Sequence, residues 1–159
     1  MQPENLMEVL SKHPFVGGLD SKYLQTIVGC AQNLTFREGD VLFQEGEFAS
    51  KFYLIRSGRV ALEIHAGKRG GMRIQTVEAG GVLGWSFLVS PFHWHFDAVA
   101  VENVHAFALD GKCLRSKCET DHEFGYEILK RLTEVLESRL QATRLQLIDF
   151  YAKPKGEEV

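Results

Sequence analysis

Phe36-Arg37-Glu38-Gly39-Asp40-Val41-Leu42-Phe43-Gln44-Glu45-Gly46-Glu47 and, after four further residues, Phe52-Tyr53-Leu54-Ile55-Arg56-Ser57-Gly58-Arg59-Val60-Ala61-Leu62-Glu63-Ile64-His65 are the stretches that decide the fold. Val60, Leu62 and Ile64 alternate with Arg59, Glu63 and His65, which predicts a strand with one buried and one wet face. Phe52 to Ile55 forms a second apolar run, and Arg56-Ser57-Gly58 between the runs predicts a tight turn pairing them as a hairpin. Gly67-Lys68-Arg69-Gly70-Gly71 reads as an exposed hairpin tip with two solubilising cations, leading into a strand over Met72 to Val77. From Leu34 to Leu109 glycines recur at 39, 46, 58, 67, 70, 71, 80, 81 and 84 between short apolar runs. That punctuation belongs to a β-barrel or jelly roll rather than to an open parallel sheet.

Outward from this core the texture changes. Residues 3 to 31 read as helical, interrupted at Pro14 and restarted after Asp20 or Ser21, either of which can cap a helix. From Asp121 to Tyr151 there is no glycine after Gly125 and no proline, which predicts one long helix. In it Leu129, Leu132, Leu136, Leu140, Thr143, Leu147 and Phe150 follow one another at steps of 3 or 4, close to a coiled-coil seam. Ile128, Val135 and Ala142 form a second stripe beside the seam. A helix of about 30 residues is about 45 Å long at 1.5 Å per residue, longer than a barrel this small is wide. The overhang calls for a partner, and the expected one is a second copy in a parallel homodimer through Leu129, Leu132, Leu136, Leu140 and Leu147. The expected architecture is mainly β with flanking helices: a jelly-roll (double-stranded β-helix) barrel plus a long C-terminal helix. As one domain it divides into helices at 1–31, a barrel at 32–112, a dimerisation helix at 121–151 and a solvated tail at 152–159.

The chain has 159 residues, 45% hydrophobic and 25% charged, enough for one core and not for two. A net charge of −3 argues against non-specific attraction to nucleic acid or an anionic membrane. No apolar run approaches the roughly 20 residues that cross a bilayer, and the first residues lack the basic and apolar regions of a signal peptide, so the expected compartment is the cytoplasm. Cys30, Cys113 and Cys118 are odd in number and form no CxxC pair. They are read as small buried hydrophobes rather than as a disulfide framework or metal site.

With Gly39, Gly46 and Gly58 spaced as above around the Phe-Tyr-Leu-Ile strand, residues 10 to 151 resemble the cyclic nucleotide-binding domain of the Crp/Fnr type. The resemblance implies a jelly-roll barrel that holds a small ligand and passes its presence to the long C-terminal helix, with the three glycines at turns needing φ > 0 or close backbone approach. The family's phosphate-binding cassette matches Gly81-Val82-Leu83-Gly84-Trp85-Ser86-Phe87-Leu88. In the family pattern a glutamate that binds the ribose hydroxyl follows the glycine matched by Gly84, and an arginine about ten residues on pairs with the cyclic phosphate. Here Trp85 stands at the first position, and Pro91-Phe92-His93-Trp94-His95-Phe96-Asp97-Ala98-Val99 contains no arginine. A hydrogen bond to a charged group contributes about 1.5–3 kcal/mol, so losing both anchors is expected to weaken cAMP or cGMP binding by about two to four orders of magnitude.

Three readings of this segment stay open. A cyclic nucleotide or another small anionic or aromatic ligand can sit against Gly84, Trp85, Ser86 and Phe87, with His93 or His95 supplying pH-dependent charge, Trp85 and Trp94 flat apolar surface, and Phe96 a further wall. Alternatively Trp85, Phe87, Phe92, Trp94 and Phe96 fill the space themselves, leaving a ligand-free dimerisation or interaction module. Finally, His93 and His95 on one side of a strand resemble the first metal motif of cupins, with His105 as a third ligand, although Glu102 lies too far along for that pattern. No nucleophile is embedded in a catalytic pattern, so the chain is expected to be a non-enzymatic sensing or regulatory module. Eight residues after Tyr151 cannot hold a helix-turn-helix, so no DNA binding by this chain is expected, and its output is assigned to a protein partner.

Overall fold

The computed structural model describes residues 3–65 and 71–152. Two helices come first: α1 (Pro3–Ser11) and α2 (Ser21–Val28), with a 3-10 turn at Pro14–Val16 between them. Asp20 caps α2 by accepting a hydrogen bond from the Lys22 amide at 3.0 Å, as its position before the apolar stripe predicts. Eight strands follow: β1 (Ala31–Phe36), β2 (Val41–Phe43), β3 (Lys51–Ser57), β4 (Val60–His65), β5 (Gly71–Val77), β6 (Val82–Leu83), β7 (Asp97–Ala100) and β8 (Val104–Asp110). They make two antiparallel four-stranded sheets, β1-β8-β3-β6 and β2-β7-β4-β5, in the expected jelly-roll arrangement. Helices α3 (Gly111–Thr120) and α4 (His122–Ala152) close the described chain.

The inner strands β3 and β8 of the first sheet are buried on both faces, whereas edge strand β1 keeps Gln32, Asn33 and Thr35 exposed. On β3, Phe52 and Leu54 point to a cluster shared with the helices, and Tyr53 and Ile55 point to a second cluster inside the barrel. β8 divides the same way, with Phe107 and Leu109 outward and Val104, Ala106 and Ala108 inward. This explains why Phe52 to Ile55 reads as an unbroken apolar run: both sides of the strand are covered.

The hairpin expected around Arg56-Ser57-Gly58 does not form. β3 pairs with β8 and β6, and β4 pairs with β5 and β7, so this turn carries the chain from one sheet to the other. Gly58 makes the corner at φ 86°, packed so closely that a Cβ there would lie 2.2 Å from the Asn103 carbonyl oxygen. Gly39 and Gly46 also have positive φ, as the family pattern implies. Strand β4 departs from simple alternation: Val60, Ala61 and Leu62 are all buried, and a bulge then shifts its register on β5 between Leu62 and Glu63. The tip of the β4–β5 hairpin and the tail after Ala152 lie outside the described residues.

Two further features differ from the sequence reading. The barrel ends at Asp110 rather than 112, and α3 occupies the stretch before the long helix, capped by Asp110, which accepts from the Cys113 amide at 2.8 Å. Cys30 and Cys113 form a disulfide across 83 residues. Pairing of Ala31 with Leu109, and the Asp110 amide on the Cys30 carbonyl, set the two Cα atoms 5.8 Å apart, within bridging range. Cys118 is free and half-buried. Among the described residues no helix is long and apolar enough to cross a membrane.

Candidate functional site

The segment matched to the phosphate-binding cassette runs from β6 through a 3-10 turn at Trp85–Phe87, entered by Gly84 at φ 93°. That left-handed conformation favours glycine. Space requires glycine as well, since a Cβ on Gly84 would lie 2.7 Å from the Trp94 ring. Trp94 is 4% exposed and stacks on Phe43, with ring centroids 3.9 Å apart and planes at 15°. Phe43 in turn stacks on Tyr53 at 6.1 Å and meets Phe96 at 6.0 Å. One aromatic group from the irregular segment before β7 is thus packed inside the barrel beside Gly84.

The backbone holds Trp94 there. Its amide donates to the Glu47 carbonyl at 3.0 Å, its carbonyl accepts from the Gly46 amide at 2.9 Å, and the Phe92 carbonyl accepts from the Ala49 amide at 2.6 Å. Residues 92–94 are therefore laced to the loop between β2 and β3. This alternation turns His93 and His95 outward, where both are exposed, while Trp94 points in. His93 meets the exposed Phe48 ring at 6.3 Å.

The expected site residues accordingly separate. Phe87 is buried in the cluster on the helix side, 5.2 Å from Phe52, and does not face the barrel cluster. Ser86 is buried. Trp85 is half-buried, edge-on to Phe96 at 6.1 Å, and lies under the guanidinium of Arg139 at 4.5 Å. His93, His95 and His105 do not assemble as the cupin-like reading requires. His105 is on β8, bonded to the Thr35 hydroxyl at 3.2 Å, and no group of three metal-binding side chains occurs among the described residues.

Beside the stacked Phe43 and Trp94 rings lies a cavity of about 320 Å³, lined also by Gln44, Glu47, Ser50 and Tyr53. Burial pushes the Tyr53 phenol up to about 12, so it is neutral at physiological pH and serves as a hydroxyl rather than a charge. Burial also pulls the Arg139 guanidinium down to about 10, where it keeps its charge at neutral pH.

Helix α4 shows two faces. Phe124, Ile128 and Leu132 are buried against the barrel and its helices, and Val135 packs beside them. Leu132, assigned above to the dimer seam, is 3% exposed and belongs to this core, because its stripe lies one helical step from the seam. Leu129, Leu136, Leu140 and Leu147 remain exposed, continued by Ile148, Phe150 and Tyr151. Arg139 is the residue that the sequence reading missed. The visible signal was a cation inside the inner stripe, at the fourth place of Ile128, Leu132, Val135, Arg139 and Ala142.

No curated protein matches the sequence. Several hundred solved chains share the fold. A protein of Geobacter metallireducens GS-15 described as cyclic nucleotide-binding is 24% identical with a TM-score of 0.74, over 88% of this chain and 98% of its own. A cyclic nucleotide-binding domain from Methylobacillus flagellatus KT is 20% identical with a TM-score of 0.77, over 99% of this chain and 86% of its own. The regulatory subunit of a cAMP-independent protein kinase A from Trypanosoma brucei is 22% identical with a TM-score of 0.68, over 87% and 51%. The family model described as "Cyclic nucleotide-binding domain" matches residues 33–121, more than half of the chain. With this match and the jelly-roll framework together, the chain belongs to the cyclic nucleotide-binding domain family.

Proposed function

We propose that this chain is a non-enzymatic regulatory module of the cyclic nucleotide-binding fold whose barrel is filled by its own Trp94 and whose output runs through the outer face of α4. The observation that carries the reading is the Trp94 ring, stacked on Phe43 and in contact range of Gly84, in the space the family gives to a ligand. Trp85 adds to it, because an indole in place of the glutamate offers the ribose hydroxyl no acceptor. A cyclic phosphate entering here would have to displace a stacked aromatic pair and would meet neither family anchor, which is why cAMP and cGMP do not fit the residues present. Titration calorimetry with each nucleotide is expected to show no binding tighter than millimolar. Micromolar affinity for either would overturn the reading.

The outer leucines of α4 support pairing with a second copy. Each exposed leucine withdrawn from water contributes about 1.5–3 kcal/mol, enough for several together to offset the loss of rotational and translational freedom. Light scattering at micromolar concentration is expected to give twice the 17.9 kDa chain mass. Leu136→Glu with Leu140→Glu is expected to return it to the single mass. Regulation then passes to another protein that reads the paired helices, in a molecule working as one unit in the cytoplasm.

A further inference from the structure

Arg139 occupies a position in α4 that its neighbours give to apolar side chains. Its Nη2 donates to the Val82 carbonyl and its guanidinium covers Trp85, while Nη1 is shut off from solvent with no acceptor. Two turns earlier, Arg131 donates through Nη1 to the carbonyls of Phe15 and Gly17 at 2.8 and 2.9 Å. Its Nε is likewise buried without a hydrogen bond, the Glu127 carboxylate standing 3.8 Å off. Among the described residues, these are the two buried side-chain nitrogens or oxygens left without a hydrogen-bond partner. Both arginines line one groove of about 530 Å³, between α4 and the chain from Gln75 to Val82.

A guanidinium carries five donors and no acceptor, and a buried donor left unmade is costly, more so on a charged group. No carboxylate lies within 4 Å of Arg139 among the described residues. Glu78 and Glu134 do line the groove, both exposed. The group that completes this arrangement brings acceptor oxygens and negative charge, and the guanidinium fork matches the paired oxygens of a carboxylate or phosphate. The two rim carboxylates disfavour a polyanion and select a compact ligand with a single anionic head.

We propose that the groove between α4 and the β5–β6 connection binds a small oxyanion-bearing ligand, a carboxylate or a phosphate, through Arg139 and Arg131. The site lies outside the barrel, so it operates while Trp94 stays in place. Arg139 also touches the cassette turn at Trp85 and the β6 carbonyl, so occupancy is felt at both the turn and the helix. A ligand here supplies the sensing input that the filled barrel lacks.

Calorimetric titration of the full chain with inorganic phosphate and with acetate, at constant ionic strength held by chloride, tests the site. Saturable binding of at least one is expected, with phosphate alone marking a phosphate ligand and acetate alone a carboxylate ligand. In the nuclear magnetic resonance spectrum the Trp85 indole signal is expected to move on titration and the Trp94 signal to stay. Arg139→Gln is expected to weaken binding about tenfold to a hundredfold, the loss of one charge-assisted hydrogen bond. Arg139→Lys keeps the charge and the aliphatic stem, folds as the parent does, and still binds several-fold more weakly because lysine has no fork. Arg37→Gln, on the exposed surface, is expected to bind as the parent does. Absence of saturable binding of either anion, or undiminished binding in both Arg139 variants, overturns the proposal. Either result leaves the nucleotide and mass measurements above unaffected.

Discussion

Two apolar clusters share the sheet β1-β8-β3-β6 as a common wall, and their large side chains come from different sources. On the helix side, Phe52 and Phe107 of the strands meet Leu114 of α3 and Phe124, Ile128 and Leu132 of α4, so regular elements supply the bulk. Inside the barrel β7 and β8 offer small groups, Ala98 and Ala100 on one and Ala106 and Ala108 on the other, while Ile55, Val60, Leu62 and Leu83 of the remaining strands face them. The volume there is taken up by Phe43, Tyr53 and above all Trp94, which no strand carries. A loop residue thus completes the barrel cluster, whereas helices and strands supply most of the other.

The sharpest way to break this distinction is to truncate one large side chain in each cluster. Phe52→Ala is expected to lower the unfolding free energy by about 3–5 kcal/mol, the usual cost of deleting a buried phenyl ring, read from chemical denaturation. Trp94→Ala is expected to cost less, roughly 2–3 kcal/mol against the about 3–5 usual for such a deletion, because its segment is irregular and borders an existing cavity. The variant should also gain something: added indole should raise its melting temperature, as an apolar ligand does in an engineered apolar cavity. Equal costs at the two sites, with no effect of indole, would erase the contrast.

Gly84→Ala sharpens the same point at smaller scale. Its positive φ costs about 1–2 kcal/mol for any other residue. The clash with Trp94 adds to that only while the indole is present, so Gly84→Ala in a Trp94→Ala background should cost only the backbone strain and the 3.0 Å approach to the Lys51 carbonyl oxygen. Strictly additive losses would mean that the ring does not press on Gly84.

The smallest effect concerns the helix-side cluster and pH. His13 is buried, with Nδ1 accepting from the Phe15 amide at 3.1 Å and Nε2 facing the Ile55 carbonyl at 3.0 Å. Burial holds its pKa below the ordinary value, outweighing the carbonyls of Ile55 and Gly81, which act the other way. The unfolded chain then binds the proton first as pH falls. The contribution of His13 is therefore fully present above the unfolded value of about 6.5 and is lost as pH falls through the folded value. Melting temperature should fall more between pH 7 and 5 in the parent than in His13→Gln; equal slopes would detach His13 from this cluster's stability.

Which of these features a reader of the sequence can find depends on the range of the interaction. The strands around Val60, the break at Pro14, the cap at Asp20 and the long last helix follow from local patterning, and all are present. The destination of the Arg56-Ser57-Gly58 turn does not, since a glycine with positive φ serves a hairpin and a corner between sheets equally well. The partner of β3 is β8, some fifty residues away, and nothing near Gly58 names it. Cys30 and Cys113 meet for the same long-range reason. Helix α3 is short and polar, so Gly111 to Thr120 offers little period to detect. At the site, the aromatic residues and the two departures from the family pattern were visible. That Trp94 turns inward between two outward histidines depends on its bonds to Gly46 and Glu47 and on that of Phe92 to Ala49. The two stripes of α4 were legible, but they adjoin on the helix, which is how Leu132 came to be placed on the wrong one.

The order of the first sheet also has a consequence in time. β8 lies between β1 and β3, so until residue 110 has been made β1 has no partner and β3 has only the two-residue strand β6. At about 5–20 residues per second the wait from the start of β1 is roughly 4–16 s, during which an emerging chain exposes unpaired strand edges. The last strand of the barrel completes the sheet that the first one began, so folding is deferred until most of the chain is available and is then dominated by distant contacts, the slow regime for a β-rich domain.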